Sequence, residues 1–161
     1  MFTRDGILKF HGWTHASIRL LLDHLSTLPE TDYVKILPGF GFSTLGEQVL
    51  HLLNSEGFWV HALQGLRYTD RNLTEYPLVA DARVFEREIS RQTHEYLSKS
   101  TDQQMNRDME IRFPAGNLAV RTPALVLHHV FTHAFHHKGQ IVAMCRLLGH
   151  PAPYTDLIES A

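Results

Sequence analysis

The residues of this chain best placed to do chemistry are three histidines, at positions 51, 133 and 137. His133 and His137 lie four residues apart in the run HHVFTHAFHHKGQI. On a helix, at roughly 100° per residue, this spacing sets the two rings about 40° apart and one turn above each other. Two imidazoles so placed can grip one metal ion, as in other H-x-x-x-H helices. His51 sits far upstream in a second apolar run, VLHLL, and could supply a third nitrogen. Three neutral nitrogens with a fourth position open are what a catalytic metal site needs. The blander alternative makes His133 and His137 surface residues and His51 a hydrogen-bonded core histidine. The same helix also carries His128, His129 and His136, and His129, His133 and His137 form a second stripe. There is no H-E-x-x-H, because Ala134 follows His133, so a zincin-type glutamate base is not available there.

Four main helices must position these rings. The first is expected from Asp5 to Leu28, with Leu8, Trp13, Ala16, Leu20 and Leu21 as its apolar stripe and Pro29 beyond its end. A Gly-rich loop, PGFGF, leads to Thr44, which precedes Glu47 by three in a capping-box pattern. The second helix then runs to Leu63, and a long connection, LRYTDRNLTEYPLV, follows. Asp81 is the expected cap of a third helix ending near Ser98. Residues 105–122 alternate poorly as a helix, and PAGN between two β-prone runs suggests a small hairpin. Pro123 suits the first turn of the fourth helix, which ends near Leu148 with Gly149 at its C-terminus and Pro151 beyond. The fold class expected is all-α: a four-helix bundle in one domain, 1–161, with a long crossover connection and a small hairpin before the last helix.

Composition narrows the function classes. The chain has 161 residues, 43% of them hydrophobic, which suits one core. A net charge of −2 with scattered Lys and Arg gives no footprint for nucleic acid. No apolar run approaches the roughly 18–20 residues of a membrane helix, and the N-terminus lacks signal-peptide features. A single cysteine, Cys145, excludes an internal disulfide and fits a reducing cytoplasm. A buried structural thiol is the reading for Cys145 itself.

The segment THAFHHKGQIVAMCRLLGHPAPYTDLI resembles the DinB family, also called DinB/YfiT-like metalloenzymes, in its H-x-x-x-H followed by a basic residue, Gly and Gln. FGFSTLGEQVLHLLNSEGFWVHALQG resembles that family's second-helix segment, and FHGWTHASIRLLL matches its opening helix more loosely. The resemblance implies a four-helix bundle, usually a homodimer, whose three metal histidines fall on His51, His133 and His137. It implies one divalent transition metal, zinc or nickel first among the candidates, and a small-molecule substrate. Characterised relatives include S-transferases that use low-molecular-weight thiols such as bacillithiol, and the mycothiol-dependent maleylpyruvate isomerase. Lys138 stands where the family often has Arg, and His15 where relatives often have Asn.

The function expected is therefore a thiol-dependent S-transferase with its thiol activated at the three-histidine site. The alternatives are a metal-dependent hydrolase and a non-enzymatic, stress-related metal-binding dimer. His15 is the candidate catalytic base or extra ligand, with His11 on the surface. Glu47, one turn before His51, is either a partner for the imidazole's second proton or simply a helix cap. Trp59, Phe58 and Trp13 are core or pocket wall, and Gly139 is expected to let a neighbouring helix approach.

Overall fold

Apolar residues recur at three- and four-residue intervals in four long segments, and each forms a helix. The computed structural model describes residues 1–113 and 115–160, with the side chains of all but Glu159 and Ser160. In chain order the helices are α1 (Arg4–Leu25), α2 (Glu30–Tyr33), α3 (Leu45–Leu63), α4 (Val79–Lys99) and α5 (Asp102–Met105). Strands β1 (Met109–Arg112) and β2 (Leu118–Arg121) pair antiparallel, and α6 (Pro123–Leu147) and α7 (Leu157–Ser160) follow. The described residues are thus mostly helical, with one small two-stranded sheet. The hairpin falls where the β-prone runs placed it; of its PAGN turn, Pro114 lies outside the described residues.

The long helices pack as a closed ring. α1 lies against α4 and α6, and α3 lies against the same two. Consecutive long helices α3 and α4 are neighbours, so the long connection between them is no crossover. The wide steps are α1 to α3 and α4 to α6, which carry the Gly-rich loop and the hairpin. The connection from α3 to α4 is instead tied down by Asn54. Its amide donates to the Arg71 carbonyl (2.7 Å) and accepts from the Arg71 N–H (2.9 Å) and the Tyr68 hydroxyl (3.0 Å). Gly57 makes this possible: a Cβ there would meet the Tyr68 ring at 2.5 Å.

Helix ends follow local chemistry. Thr44 and Glu47 form the capping box expected of them, with 3.0 Å bonds in both directions. α1 ends at Leu25, three residues short of expectation, because Ser26 and Thr27 turn their hydroxyls back onto the Asp23 and His24 carbonyls. Asp81 is not the cap of α4. It sits one turn in and accepts from the Leu78 N–H at 3.0 Å, so the helix starts at Val79. Gly149, at φ +85°, closes α6 in a Schellman turn, with His150 N–H bonded to Cys145 O (2.9 Å) and Gly149 N–H to Arg146 O (3.1 Å). α2 and α5 are single turns that the apolar periodicity does not announce. Gly139 meets nothing within 4 Å of a Cβ position, so no helix approaches it.

The buried stripe of α1 differs from the expected one. It runs Ile7, His11, Thr14, Ile18, Leu21, Leu22 and Leu25, while Leu20 is 40% exposed. Four polar side chains, His11, Thr14, His15 and Ser17, occupy the inner face, which displaces the expected apolar pattern.

Candidate metal centre

His51 is carried by α3, and His133 and His137 by α6, two helices packed directly together. His137 lies on the buried stripe of α6 and is 6% exposed; His133 and His51 are half-buried beside it. The rings converge: His51 Nε2 is 3.3 Å from His133 Nε2, which is 3.1 Å from His137 Nε2. Metal–nitrogen bonds of roughly 2.0–2.1 Å in a tetrahedron require nitrogens roughly 3.3 Å apart. The spacing present is therefore close to that of three ligands around one ion.

The hydrogen-bond network fixes a tautomer. Gln48 Nε2 donates to the Phe42 carbonyl (3.0 Å), which can only accept, and to Gln140 Oε1 (2.7 Å). Its Oε1 must then face His137 Nδ1, 2.7 Å away, so Nδ1 is the donor. His137 Nε2 is left with its lone pair aimed at the other two rings, as a ligand requires. Phe42, from the Gly-rich loop, stacks on His51 with ring centroids 4.0 Å apart.

Electrostatics favour neutral rings. Burial, reinforced by the neighbouring imidazoles, lowers the His137 pKa to about 3 and the His133 pKa to about 4. Burial also lowers that of His51. Among the described residues no carboxylate joins this cluster, whose ligand atoms all lie within 4.8 Å of one another. With the His137 Nε2 lone pair turned to His133 and all three rings favoured neutral, the group fits a divalent transition metal.

A cleft of about 250 Å³ adjoins the cluster, lined by Trp59, Phe113, Arg121, Leu125, Val126 and His129. His129 links the two, its ring 5.6 Å from His133 and 5.7 Å from Trp59. His129 itself is exposed, and His51 rather than His129 completes the group. A wider cleft, about 680 Å³, opens between α3, the long connection and the hairpin, and none of the three histidines lines it.

Other expected participants are employed elsewhere. Glu47 is a cap, its carboxylate accepting from the Ser43 and Thr44 N–H groups. His15 does not join the triad: its Nδ1 faces Glu86 (2.8 Å) and its Nε2 faces Glu56 (3.0 and 3.1 Å). His11, expected on the surface, is 2% exposed beside it. Lys138 turns from the triad towards α1 and the C-terminal segment. Its Nζ donates to Ser17 Oγ (3.0 Å) and to the Thr155 carbonyl, and lies over the Phe135 ring at 4.5 Å. Cys145 is fully buried, and burial raises its thiol pKa to about 11, which suits a structural role. Sequence reasoning missed Gln48, three residues before His51 on the same helix, and gave no role to Gln140, three after His137, though it is the Gln of the matched motif. An amide one turn from a ligand histidine is the signal that would have found both.

A mostly helical fold with three inward histidines on two facing helices describes a class of candidate metalloproteins. The profile of the DinB family matches residues 1–161, and the chain belongs to that family. It is 23% identical over 156 residues to Protein DinB of Bacillus subtilis (strain 168), covering 93% of this chain and 88% of that protein. The fold resembles the crystal structure of a DinB-like protein from Bacillus cereus, with TM-score 0.67, 22% identity, and 96% and 99% of the two chains covered. A DinB-like protein from Bacillus subtilis gives TM-score 0.65 at 19% identity over 93% and 97% of the chains. No helix among the described residues is long and apolar enough to cross a membrane.

Proposed function

We propose that this protein is a metal-dependent enzyme on a four-helix bundle of the DinB type, which activates a low-molecular-weight thiol for transfer to an electrophilic carbon. The observation that carries this reading is the convergence of three imidazoles, His133 Nε2 lying 3.3 Å from His51 Nε2 and 3.1 Å from His137 Nε2, with two of the three rings half-buried. A divalent ion held there would lower the pKa of a thiol in its open position. The chain's own residues do the rest. Gln48 holds the His137 tautomer, Phe42 packs the His51 ring, and the Trp59–Phe113–Arg121 cleft offers apolar walls and one cation to a substrate. In the reaction the thiolate sulfur bonds to carbon, the leaving group departs with its electron pair, and the thiol proton passes to solvent.

Metal-assisted hydrolysis, the alternative, is less well supported because it needs a general base. The two candidates, Glu47 and His15, are committed to a cap and to a carboxylate pair. A thiolate is its own nucleophile and needs neither. We place the enzyme as a homodimer, which sedimentation at micromolar concentration tests; a strictly monomeric mass refutes that part.

The experiment for the reaction uses cobalt-substituted protein and a panel of cellular thiols that includes bacillithiol. The expected result is a thiolate-to-cobalt charge-transfer band with one thiol, and turnover with an electrophilic model substrate. His133→Ala should lose both while staying folded. Neither band nor turnover across the panel would overturn the thiol reading, and full activity after chelation would overturn the metal reading.

A further inference from the structure

A second group of titratable side chains lies in the sealed interior, on other helix faces. Glu56 follows His51 by five residues on α3, about 140° round the helix, so it faces away from the triad. It meets His11 and His15 of α1 and Thr93 of α4, and all four are buried, none more than 2% exposed. His11, His15 and Glu56 offer ligand atoms within 4.8 Å of one another.

We propose that His11, His15 and Glu56 form a second, closed divalent-cation site that serves structure rather than turnover. Glu86 supplies the first argument. Its carboxylate only accepts, so the His15 Nδ1 it faces at 2.8 Å carries a proton. Arg19 holds the same Glu86 oxygen at 3.0 Å from the solvent side. This is the carboxylate–histidine arrangement that orients a metal-binding ring. His15 Nε2 then points at both Glu56 oxygens, 3.0 and 3.1 Å away. A lone pair facing a carboxylate at that distance needs a cation between them, a proton or a metal.

His11 separates the two choices. Its Nε2 is buried, lies 3.4 Å from Glu56 Oε1, and has no hydrogen-bond partner among the described residues. A proton on His15 satisfies His15 and Glu56 but leaves His11 Nε2 an orphan in a dry interior, a costly arrangement. A cation among the three satisfies all of them. The distances agree: 3.0–3.4 Å across the group, close to the edges of a coordination shell, against shorter bonds on its outer side from Thr93 (2.6 Å) and Glu86 (2.8 Å). Two imidazoles and a carboxylate suit zinc or cobalt, and the absence of any exposed face on these residues suits a structural ion. The site ties α1 to α3, which otherwise sit across the ring from each other, with α4 contributing the outer bonds.

The test removes the triad first, so that its result does not depend on what the triad does. The triple variant His51→Ala/His133→Ala/His137→Ala, confirmed folded by circular dichroism, is titrated with cobalt(II) alone. The expected result is one equivalent bound, with the visible absorption of a nitrogen–oxygen ligand set. Adding His11→Gln should weaken binding by more than about tenfold. That change keeps the His15–Glu56–Glu86 pairs intact, so a fold held only by a shared proton tolerates it. If His11→Gln fails to fold, nitrogen-15 histidine spectra of the triple variant decide: zinc should shift the His15 and His11 ring signals. A folded triple variant that binds no cobalt, cobalt binding indifferent to His11→Gln, or His15 spectra unchanged by zinc would overturn the proposal.

Discussion

The molecule holds two histidine clusters that share α3 and differ in everything else. His51, His133 and His137 form a group of imidazoles alone, half-open to one side, and burial drives their protons off. Around His15 the enclosure is complete, yet its pKa rises to about 9. Burial pulls it down, but the charge and hydrogen bonds of Glu56, then those of Glu86, outweigh that pull. Glu56 is correspondingly held well below the usual carboxylate range, because the charge of His15, its hydrogen bonds and the nearby charge of His11 overcome its own desolvation. Burial alone therefore does not decide what a histidine does; the charge of its neighbours does. An open, carboxylate-free cluster suits exchange and catalysis, and a sealed, charge-paired one suits holding helices together.

The sharpest way to break this contrast is mutation on each side. His133→Ala with His137→Ala should remove most triad-bound metal from untagged protein while the circular dichroism stays native, since neither ring belongs to the apolar clusters that hold the helices together. Wild-type metal content in that variant, once the sealed cluster is also disabled, would dissolve the distinction. On the other side, Glu56→Ala should cost roughly 3–5 kcal/mol of stability, the usual result of stripping one partner from a buried charge pair. Urea unfolding measures it, and a loss under about 1 kcal/mol would mean that the interior pairs carry little.

A milder change sharpens the triad alone. Gln48→Leu removes the acceptor that fixes His137, and metal affinity should fall by about 10–100-fold with folding unchanged. Unaltered affinity by competition with a chelating dye would show that the tautomer is set otherwise.

The smallest effect is in pH dependence of the metal-free protein. His133 and His137 have folded pKa values below the unfolded value of roughly 6.5. Their contribution is present above that value and is lost as pH falls towards about 4 and 3. His15 has the opposite sign: its contribution is present below roughly 6.5 and is lost as pH rises through about 9. Stability should therefore decline on both sides, with the acid limb made shallower in the triad variant, where Glu56 keeps part of it, and the alkaline limb flattened by His15→Gln. A single limb, or limbs assigned the other way round, would contradict the pairing.

The first cluster was legible in the sequence and the second was not, for a physical reason. H-x-x-x-H spacing places two rings by helix geometry, and the family resemblance supplies His51. The second cluster is built from polar residues on apolar stripes: His11 in line with Ile7 and Ile18, Glu56 with Leu52 and Val60, Glu86 and Thr93 with Ala82, Ile89 and Leu97. Read one helix at a time, each looks like a break in the pattern, which moved the expected stripe of α1 and put His11 outside. A carboxylate on a buried stripe must find a cation, and four such breaks on three helices at one level are the sign of a shared site. The four long helices and the hairpin were readable because periodicity and turn residues are local. Which helices neighbour each other was not, because packing order depends on contacts between distant segments. The single turn of α5 went unread, although Thr101 and Gln104 form a capping box there.

Anomalous diffraction at the zinc edge, from crystals of untagged protein grown with zinc, tests the central claim most directly. The expected result is a peak roughly 2.0–2.1 Å from the Nε2 atoms of His51, His133 and His137, with a fourth position held by no protein atom. A fourth protein ligand closing that position, or no peak among the three rings, would contradict an open metal site.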